Sequence, residues 1–371
     1  MIFWACAILT AAYLLAERGF LHCNRRAVPL RLHVYGTRGK TGLTRMVLEL
    51  LRRNGIKALG RTTGDAPIIH NPDGSEQPQK RLGPANIREY LTCLAKARKS
   101  GCQALVMECM ALSPENVFAA GEILRPDQVL LTNTRPDHSE SQGPGDDDTA
   151  RAVSFAMNAG SRVYALADAG AAILRQRAEH NGNSLILLPD AGFSPGQESA
   201  RLANRLAEQL ELAPLAWPDP QWPEFRSIRT DGGGTFWFLD LFSVNDVISA
   251  NMLLDQALTR LPEDHRKLPL AALLATRSDR PLRTRAFADW LTTKKPGLSC
   301  PLGGHAFYAA RRLRGLRVLF HFAPRPEKLL RAVRKALKDD GYWRDDFLLV
   351  GLGNARGYGE RFRGFIADRA T

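Results

Sequence analysis

The stretch Arg31-Leu-His-Val-Tyr-Gly-Thr-Arg-Gly-Lys-Thr-Gly-Leu-Thr-Arg45 decides the fold. Its apolar run, Leu32 to Tyr35, reads as a strand. The strand turns through Gly36, Thr37, Arg38, Gly39, Lys40, Thr41 and Gly42 into a helical pattern at Met46, Val47, Leu50 and Leu51. Glycines lack Cβ and let backbone N–H groups turn inward on an anion, and the helix N-terminus adds its positive dipole. In that grammar Lys40 neutralises the β- and γ-phosphates of a nucleotide, and the Thr41 hydroxyl ligates Mg²⁺. The spacing is compact rather than the full GxxxxGK, because position 34 holds Val and not Gly. The competing reading is a Gly-rich strand-to-helix turn with a solvated lysine; the agreement of strand, turn, Gly-Lys-Thr and helix weighs against it.

At 371 residues the chain can hold two globular domains, and its 44% hydrophobic and 24% charged content is that of a packed protein. The net charge of +13 comes from 40 arginines and 11 lysines against 38 acidic residues. Arginine's planar fork matches carboxylates and phosphates, so an anionic partner is expected. Nucleic acid, the anionic membrane surface and an acidic substrate or polymer compete for that role. No RNP motif, zinc finger or helix-turn-helix pattern is present, which places nucleic acid last and leads to the expectation of no nucleic-acid partner. The six cysteines include no Cys-x-x-Cys pair, and four sit in apolar surroundings. They read as small buried hydrophobes in a reducing compartment, with neither a zinc site nor a disulfide framework.

Met1 to Ala16 carries no charge, Glu17-Arg18 interrupts, and Gly19-Phe20-Leu21 resumes the apolar run. At ~1.5 Å per residue the uncharged part covers about 24 Å of a roughly 30 Å hydrocarbon core, and snorkelling of Arg18 with Phe20 and Leu21 makes up the difference. One spanning helix over 1–21 is expected, followed by a basic linker over 22–30. A secretory signal peptide is the rival, but no basic segment precedes the apolar run and no convincing cleavage site follows it. Arg18, Arg25, Arg26 and Arg31 all follow the run, so the positive-inside rule places the bulk of the chain in the cytoplasm, tethered to the cell membrane by a single pass.

From Arg31 onward, apolar strands are expected at 32–35, 57–62, 103–108, 127–133, 162–167 and 184–188, separated by helical patterns. That alternation implies an α/β fold with a mostly parallel sheet covered on both faces, whose ligands sit beyond the carboxyl ends of the strands. Polar residues cluster there: Arg61-Thr62-Thr63-Gly64-Asp65 after the second strand, Glu108 closing the third, and Thr132 to His138 after the fourth. Asp146-Asp147-Asp148 reads as the acidic first turn of a helix rather than a metal site. A hairpin is expected around Asp231-Gly-Gly-Gly234, and Asn245-Asp246 opens a helix to about Leu261. The shift in composition at Leu261 to Lys267 sets a domain boundary, giving a central domain over 31–262 and a C-terminal α/β domain over 263–371. In the latter, strands are expected at 268–275, 316–321 and 347–351. The first leads into Arg277-Ser-Asp-Arg-Pro-Leu-Arg283, and the last into Gly351-Leu-Gly-Asn-Ala-Arg-Gly-Tyr-Gly359. The latter's glycine spacing does not fit a dinucleotide fingerprint, so it reads as a loop closing over nucleotide or substrate.

These segments resemble the Mur ligase superfamily, and most closely the membrane-anchored ligase subunit of poly-γ-glutamate (capsule) synthases. The resemblance is carried by His33-Val-Tyr-Gly-Thr-Arg-Gly-Lys-Thr41, Arg61-Thr-Thr-Gly64, Gly83-Pro-Ala-Asn86, Ala104-Leu-Val-Met-Glu-Cys-Met-Ala111 and Thr132-Asn-Thr-Arg-Pro-Asp-His138. Asn245-Asp246, Arg277-Ser-Asp-Arg-Pro281 and Gly351-Leu-Gly-Asn354 continue it in the same order. It implies a Mur-like P-loop domain and a smaller C-terminal domain. It gives the ATP phosphates to Lys40 and its loop, the first Mg²⁺ to Thr41 and Glu108, and a second Mg²⁺ to His138. Asn245 would lie near the adenine, with Arg277 and Asp279 on the segment that closes on ATP. The implied reaction makes an acyl phosphate and then an amide, with glutamate and an acidic polyglutamate chain as substrates and other membrane subunits as partners. Thr62, Thr63, Asp65 and Arg283 are candidate substrate contacts. Arg311, Arg312, Arg314 and Arg317 are candidate polymer contacts or a solvated, membrane-facing patch.

Two departures stand out. Mur ligases commonly bridge to the second metal through a carbamylated lysine, yet no lysine lies between Lys99 and Lys267, and Asp65 places a carboxylate where a small neutral or hydroxyl residue is expected. A ligase acting on a small folate or peptidoglycan-precursor acceptor, and a membrane-tethered P-loop ATPase without ligase activity, remain as alternatives.

Overall fold

A computed structural model describes residues 2–63, 67–81, 83–136, 139–143, 145–189, 196–217, 222–229, 235–244, 246–320, 324–339 and 346–369. Asp65, His138 and Asn245 lie outside the described residues. The chain divides into two compact units, Met1–Pro220 and Gln221–Thr371.

The first unit is organised on β1 (Leu30–Tyr35), with β2 (Ala58–Thr62), β3 (Ile68–His70), β4 (Glu76–Pro78), β5 (Ala104–Glu108), β6 (Gln128–Leu131), β7 (Arg162–Leu166) and β8 (Ser184–Leu188). They form one sheet in the order β4-β3-β2-β5-β1-β6-β7-β8, parallel from β2 to β8, with β3 and β4 antiparallel at one edge. Leu32 and Val34 point into one core and Tyr35 into the other, so β1 is covered on both faces. That explains why it reads as a continuous apolar run rather than an alternating one.

The helices of this unit are α1 (Ile2–Ala27), α2 (Lys40–Arg53), α3 (Glu89–Lys99), α4 (Pro114–Leu124), α5 (Ser139–Gln142), α6 (Asp146–Ser154), α7 (Ala171–Asn181) and α8 (Gln197–Gln209). Leu43, Val47, Leu50 and Leu51 of α2 share one core with Leu202 and Leu206 of α8, while α3, α4, α6 and α7 cover the opposite face. Asp146, Asp147 and Asp148 form the acidic first turn of α6, as expected, and Asp148 accepts from the Gly145 amide at 3.2 Å.

The second unit holds β9 (Arg226–Arg229), β10 (Thr235–Asp240), β11 (Leu270–Thr276), β12 (Leu298–Gly303) and β13 (Phe347–Leu352), ordered β12-β11-β13-β10-β9. Its helices are α9 (Val247–Arg260), α10 (Glu263–Arg266), α11 (Pro281–Lys294), α12 (Ala306–Arg312), α13 (Pro326–Lys338) and α14 (Glu360–Ala367). Leu329, Val333 and Leu337 of α13 pack with Phe362 and Ile366 of α14 on one face of this sheet.

Three expectations give way. Residues 22–27 are the last turns of α1 rather than a linker, and only Val28 and Pro29 separate the helix from β1. The Arg31 guanidinium rivets this join: it donates to the Arg25, Val28 and Arg125 carbonyls at 3.1, 2.9 and 2.9 Å and pairs with Asp127 at 3.0 Å. The boundary at 262/263 moves to 220/221, because β10 pairs in parallel with β13 and so belongs to the second sheet. The strand expected at 316–321 shrinks, among the described residues, to one parallel bridge from Val318 to Ser299, and the strand it lies against, β12, is disguised by Pro301. The Ser299 amide donates outward to Arg317 O at 2.9 Å, so the backbone nitrogen two residues on also faces the sheet edge, where proline's missing N–H costs no ladder bond.

His33, on β1, is fully buried; its Nε2 lies 3.1 Å from Tyr90 Oη, its Nδ1 has no partner, and burial pushes its pKa down to about 4. The unfolded chain, titrating near 6.5, takes up a proton that the fold refuses. Stability from this residue is therefore full above about pH 6.5 and is lost as pH falls to about 4, by on the order of 3 kcal/mol. His70 is shifted the same way, mainly by burial. Denaturant midpoints should drop toward acid across that window, and His33→Gln should flatten the slope whatever its absolute stability.

Candidate active site

Four strand ends converge above the first sheet. β1 runs on through Gly36, where φ is +121° and an added Cβ would stand 2.3 Å from Thr132 Oγ1 and 2.9 Å from Thr132 N. The loop is fastened to the segment after β6: the Thr37 amide donates to Asn133 O at 3.2 Å, its hydroxyl to Asn133 Oδ1 at 2.5 Å, and Asn133 Nδ2 to Arg38 O at 3.2 Å. Gly39 then takes a left-handed conformation at the cap of α2. Val34 is buried in the core, so the compact loop starts at Gly36 and not two residues earlier. The Lys40 ammonium lies back on its own loop, donating to Gly36 O at 2.7 Å and Thr37 O at 3.2 Å.

Glu108 closes β5 and is 2% exposed. The Thr41 hydroxyl donates to its two oxygens at 3.1 and 3.0 Å, the Thr63 amide at 3.0 Å and the Thr63 hydroxyl at 2.7 Å. No lysine or arginine pairs with it among the described residues. A buried carboxylate held only by neutral donors leaves its charge uncompensated, which suits a bound cation. Oxygens on neighbouring corners of an Mg²⁺ octahedron stand about 3.0 Å apart. The Thr41 and Glu108 oxygens have that separation and could serve as ligands together. Among the described residues no three His, Cys, Asp or Glu side chains gather as a metal site.

Thr62 does not join this group. It is buried on the alternate face of β2, with its Oγ1 3.0 Å from His70 Nε2. Beside it, the fully buried Arg61 guanidinium pairs with Glu89, which also accepts from Arg81 at 2.9 Å and from Gln79 at 3.1 Å. Asp168 was not foreseen: it accepts from the Thr134 amide at 2.7 Å and hydroxyl at 2.9 Å, fixing the strand end that carries Asn133. Arg135 pairs with Glu198 at the start of α8.

In the second unit, Arg277 and Asp279 bind each other at 2.9 and 2.6 Å after β11, and Asp246 caps α9 by accepting from the Ser249 amide at 2.7 Å. Arg283 Nη1 donates to Asn354 Oδ1 at 3.2 Å, while Asn354 Nδ2 donates to Ala275 O at 2.9 Å. The loop after β13 is thus tied to the end of β11. His305, which follows Gly303-Gly304 and whose amide donates to Thr276 Oγ1 at 2.9 Å, joins the same strand ends; its Gly-Gly-His signal stands in the sequence after an apolar run. Of the candidate polymer contacts, Arg312 is bound to Asp289 at 2.6 Å and Arg311 lies over the Phe307 ring.

Residues 34–190 match the Mur ligase middle domain, and residues 225–369 match the poly-gamma-glutamate synthase CapB C-terminal domain. The chain is 29% identical over 187 residues to PGA synthase CapB of Bacillus subtilis (strain 168), covering 49% of this chain and 47% of that protein. It is 24% identical over 307 residues to capsule biosynthesis protein CapB of Bacillus anthracis, covering 76% and 65%. The chain therefore spans from about half to just under two thirds of the curated relatives it matches. Its fold is that of MurF from Acinetobacter baumannii, with TM-score 0.64 at 13% identity over 96% of this chain and 80% of that one. A bifunctional folylpolyglutamate synthase/dihydrofolate synthase with Mn, AMPPNP and L-glutamate bound shares it, with TM-score 0.57 at 14% identity over 96% and 97%.

The glycines of the loop should separate by substitution. Gly36→Ala combines a left-handed φ with a backbone clash and should cost about 2–4 kcal/mol in denaturant unfolding. Gly42→Ala, inside α2 with open space around it, should be neutral or stabilising by up to about 1 kcal/mol.

Proposed function

We propose that this chain, joining a Mur ligase middle domain to a CapB-type C-terminal domain, is an ATP-dependent carboxylate–amine ligase that forms the γ-glutamyl bonds of poly-γ-glutamate. The observation that carries the reading is the buried Glu108 carboxylate, held by Thr41 and Thr63 beside a phosphate loop. A substrate carboxylate oxygen attacks the γ-phosphorus of ATP, the bond to the β-phosphate oxygen breaks, and ADP leaves with an acyl phosphate remaining. The amino group of the second substrate then attacks the acyl carbon. Phosphate departs, the nitrogen gives up its proton, and an amide is left.

Such chemistry asks for positioning and charge neutralisation more than covalent help. Lys40 exchanges its two loop carbonyls for phosphoryl oxygens. The Gly36 to Thr41 backbone cradles the phosphates at the start of α2, with the loop held in shape by Asn133. Thr41 and Glu108 would hold Mg²⁺, which would supply positive charge to the phosphoryl group. A fold neighbour bound to Mn, AMPPNP and L-glutamate supports a nucleotide, a divalent metal and glutamate here. In the second unit, Arg277, Asp279 and Asn354 stand at the strand ends that would close on the nucleotide. His138, Asn245 and Asp65 keep the roles of second-metal ligand, adenine contact and substrate-side group as part of the same proposal.

α1 is long and apolar enough to cross a membrane, and Ile2 to Ala16 are exposed along its whole first part. It would tether the ligase to the cytoplasmic face, with other membrane subunits handling the polymer.

Hydroxylamine trapping tests the reaction. With ATP, Mg²⁺ and glutamate or polyglutamate the chain should yield a hydroxamate, and Lys40→Ala and Glu108→Gln should each lower its rate by at least about 10²-fold. Phosphate release without hydroxamate would identify an ATPase instead.

A further inference from the structure

The root of α1 carries a feature that ligase chemistry does not use. Ile2 to Ala16 are exposed throughout, and burial starts at Glu17, continuing at Leu21, Asn24 and Arg25 in a helical stripe against α3 and α4. Where the exposed part meets the packed part, a cavity of about 330 Å³ opens between α1, α3 and the end of α4. Its basic lining is Arg18, Arg25, Arg88 and Arg125, and its one acid is Glu17. Its apolar lining is Leu14, Leu21, Leu91 and Ile123.

The charges do not balance. Glu17 is taken by Arg88 at 2.7 Å, and Arg88 also donates to Tyr13 Oη at 3.0 Å. Arg25 is bound by carbonyls rather than by an acid, donating to Glu122 O at 2.5 Å and to Ile123 O at 3.0 and 2.9 Å, so its full positive charge remains. Arg125 reaches Glu122 only at 4.0 Å, and Arg18 has no hydrogen-bond or ion-pair partner among the described residues. Beside Arg18, Arg25 and Arg125 stands one further carboxylate, Glu122 at the rim, so positive charge is left in excess and favours an anion among them.

We propose that this cavity binds an anionic phospholipid, its phosphodiester among Arg18, Arg25 and Arg125 and its acyl chains running past Leu14 along the exposed face of α1. The inference rests on reading α1 as a membrane anchor. A lipid rather than a free anion is chosen because half of the lining is apolar and is continuous with the exposed apolar surface of Tyr13, Leu14 and Leu15. Arg88 holds α3 at the height of Tyr13, so the arginines stand where headgroups stand when Ile2 to Ala16 lie in hydrocarbon.

The full chain in phosphatidylcholine vesicles, probed with spin-labelled phosphatidylglycerol and spin-labelled phosphatidylcholine, tests this. The anionic probe should be motionally restrained about tenfold more strongly than the zwitterionic one. Arg18→Gln with Arg125→Gln should abolish that preference, and the two lysine replacements should retain most of it. All variants should still float with plain phosphatidylcholine vesicles. Flotation without any preference, or a preference unchanged in the glutamine variant, overturns the lipid site and leaves the anchor standing. Failure to float overturns the anchor and the lipid site with it.

Discussion

A buried carboxylate that no lysine or arginine pairs with among the described residues is the constraint on which the first unit depends. Glu108 sits at the end of β5, yet every donor that satisfies it comes from elsewhere: Thr41 from the first turn of α2, and Thr63 from the residue after β2. Its charge therefore pins three elements at one point. Removing water from a carboxylate costs several kcal/mol, and hydroxyl donors recover only part of that. The fold retains this cost at the mouth of the sheet, where an incoming cation would relieve it.

The opposite side of the phosphate loop is ruled by space rather than charge. Gly36 lies so near the Thr132 backbone that no side chain fits, and that closeness lets Asn133 bind the loop from two directions, with its carbonyl and its carboxamide. Asp168, by holding Thr134, fixes the segment that does the holding. Two layers of hydrogen bonding thus stand behind one turn of backbone, a preorganised frame for an anion.

Much of this was legible in the residues. The glycine turn, Lys40 and Thr41 were plain because local chemistry alone dictates them. Glu108 was legible because a carboxylate ending an apolar run is conspicuous; that Thr63 binds it was not, because Thr63 stood only as a candidate substrate contact beside Thr62. Which of Thr62 and Thr63 would reach Glu108 was not legible: one step along a strand reverses the side chain, and no propensity says which of two adjacent threonines faces in. The partners of Arg61 were hidden because Glu89 and Gln79 meet it only through tertiary packing. β12 was hidden because its proline is acceptable only at an edge, and edge position is a property of the finished sheet. α4 carried a start signal in Ser113-Pro114-Glu115, yet its interior Gly121 blurred the helical pattern.

The join between α1 and β1 has a mechanical meaning. Two residues, clamped by Arg31, leave no swivel between a helix long and apolar enough to cross a bilayer and the strand that ends in the phosphate loop about 20 Å away. Helix tilt in a bilayer follows the thickness of the hydrocarbon and the anchoring of flanking side chains. With α1 inserted, that tilt is the tilt of the whole first unit, like a mast stepped directly into a keel. A thinner or thicker membrane would then turn the mouth of the site toward or away from the lipid surface, and bilayer composition becomes a setting for which substrates, those at the surface or those in solution, meet the loop head-on.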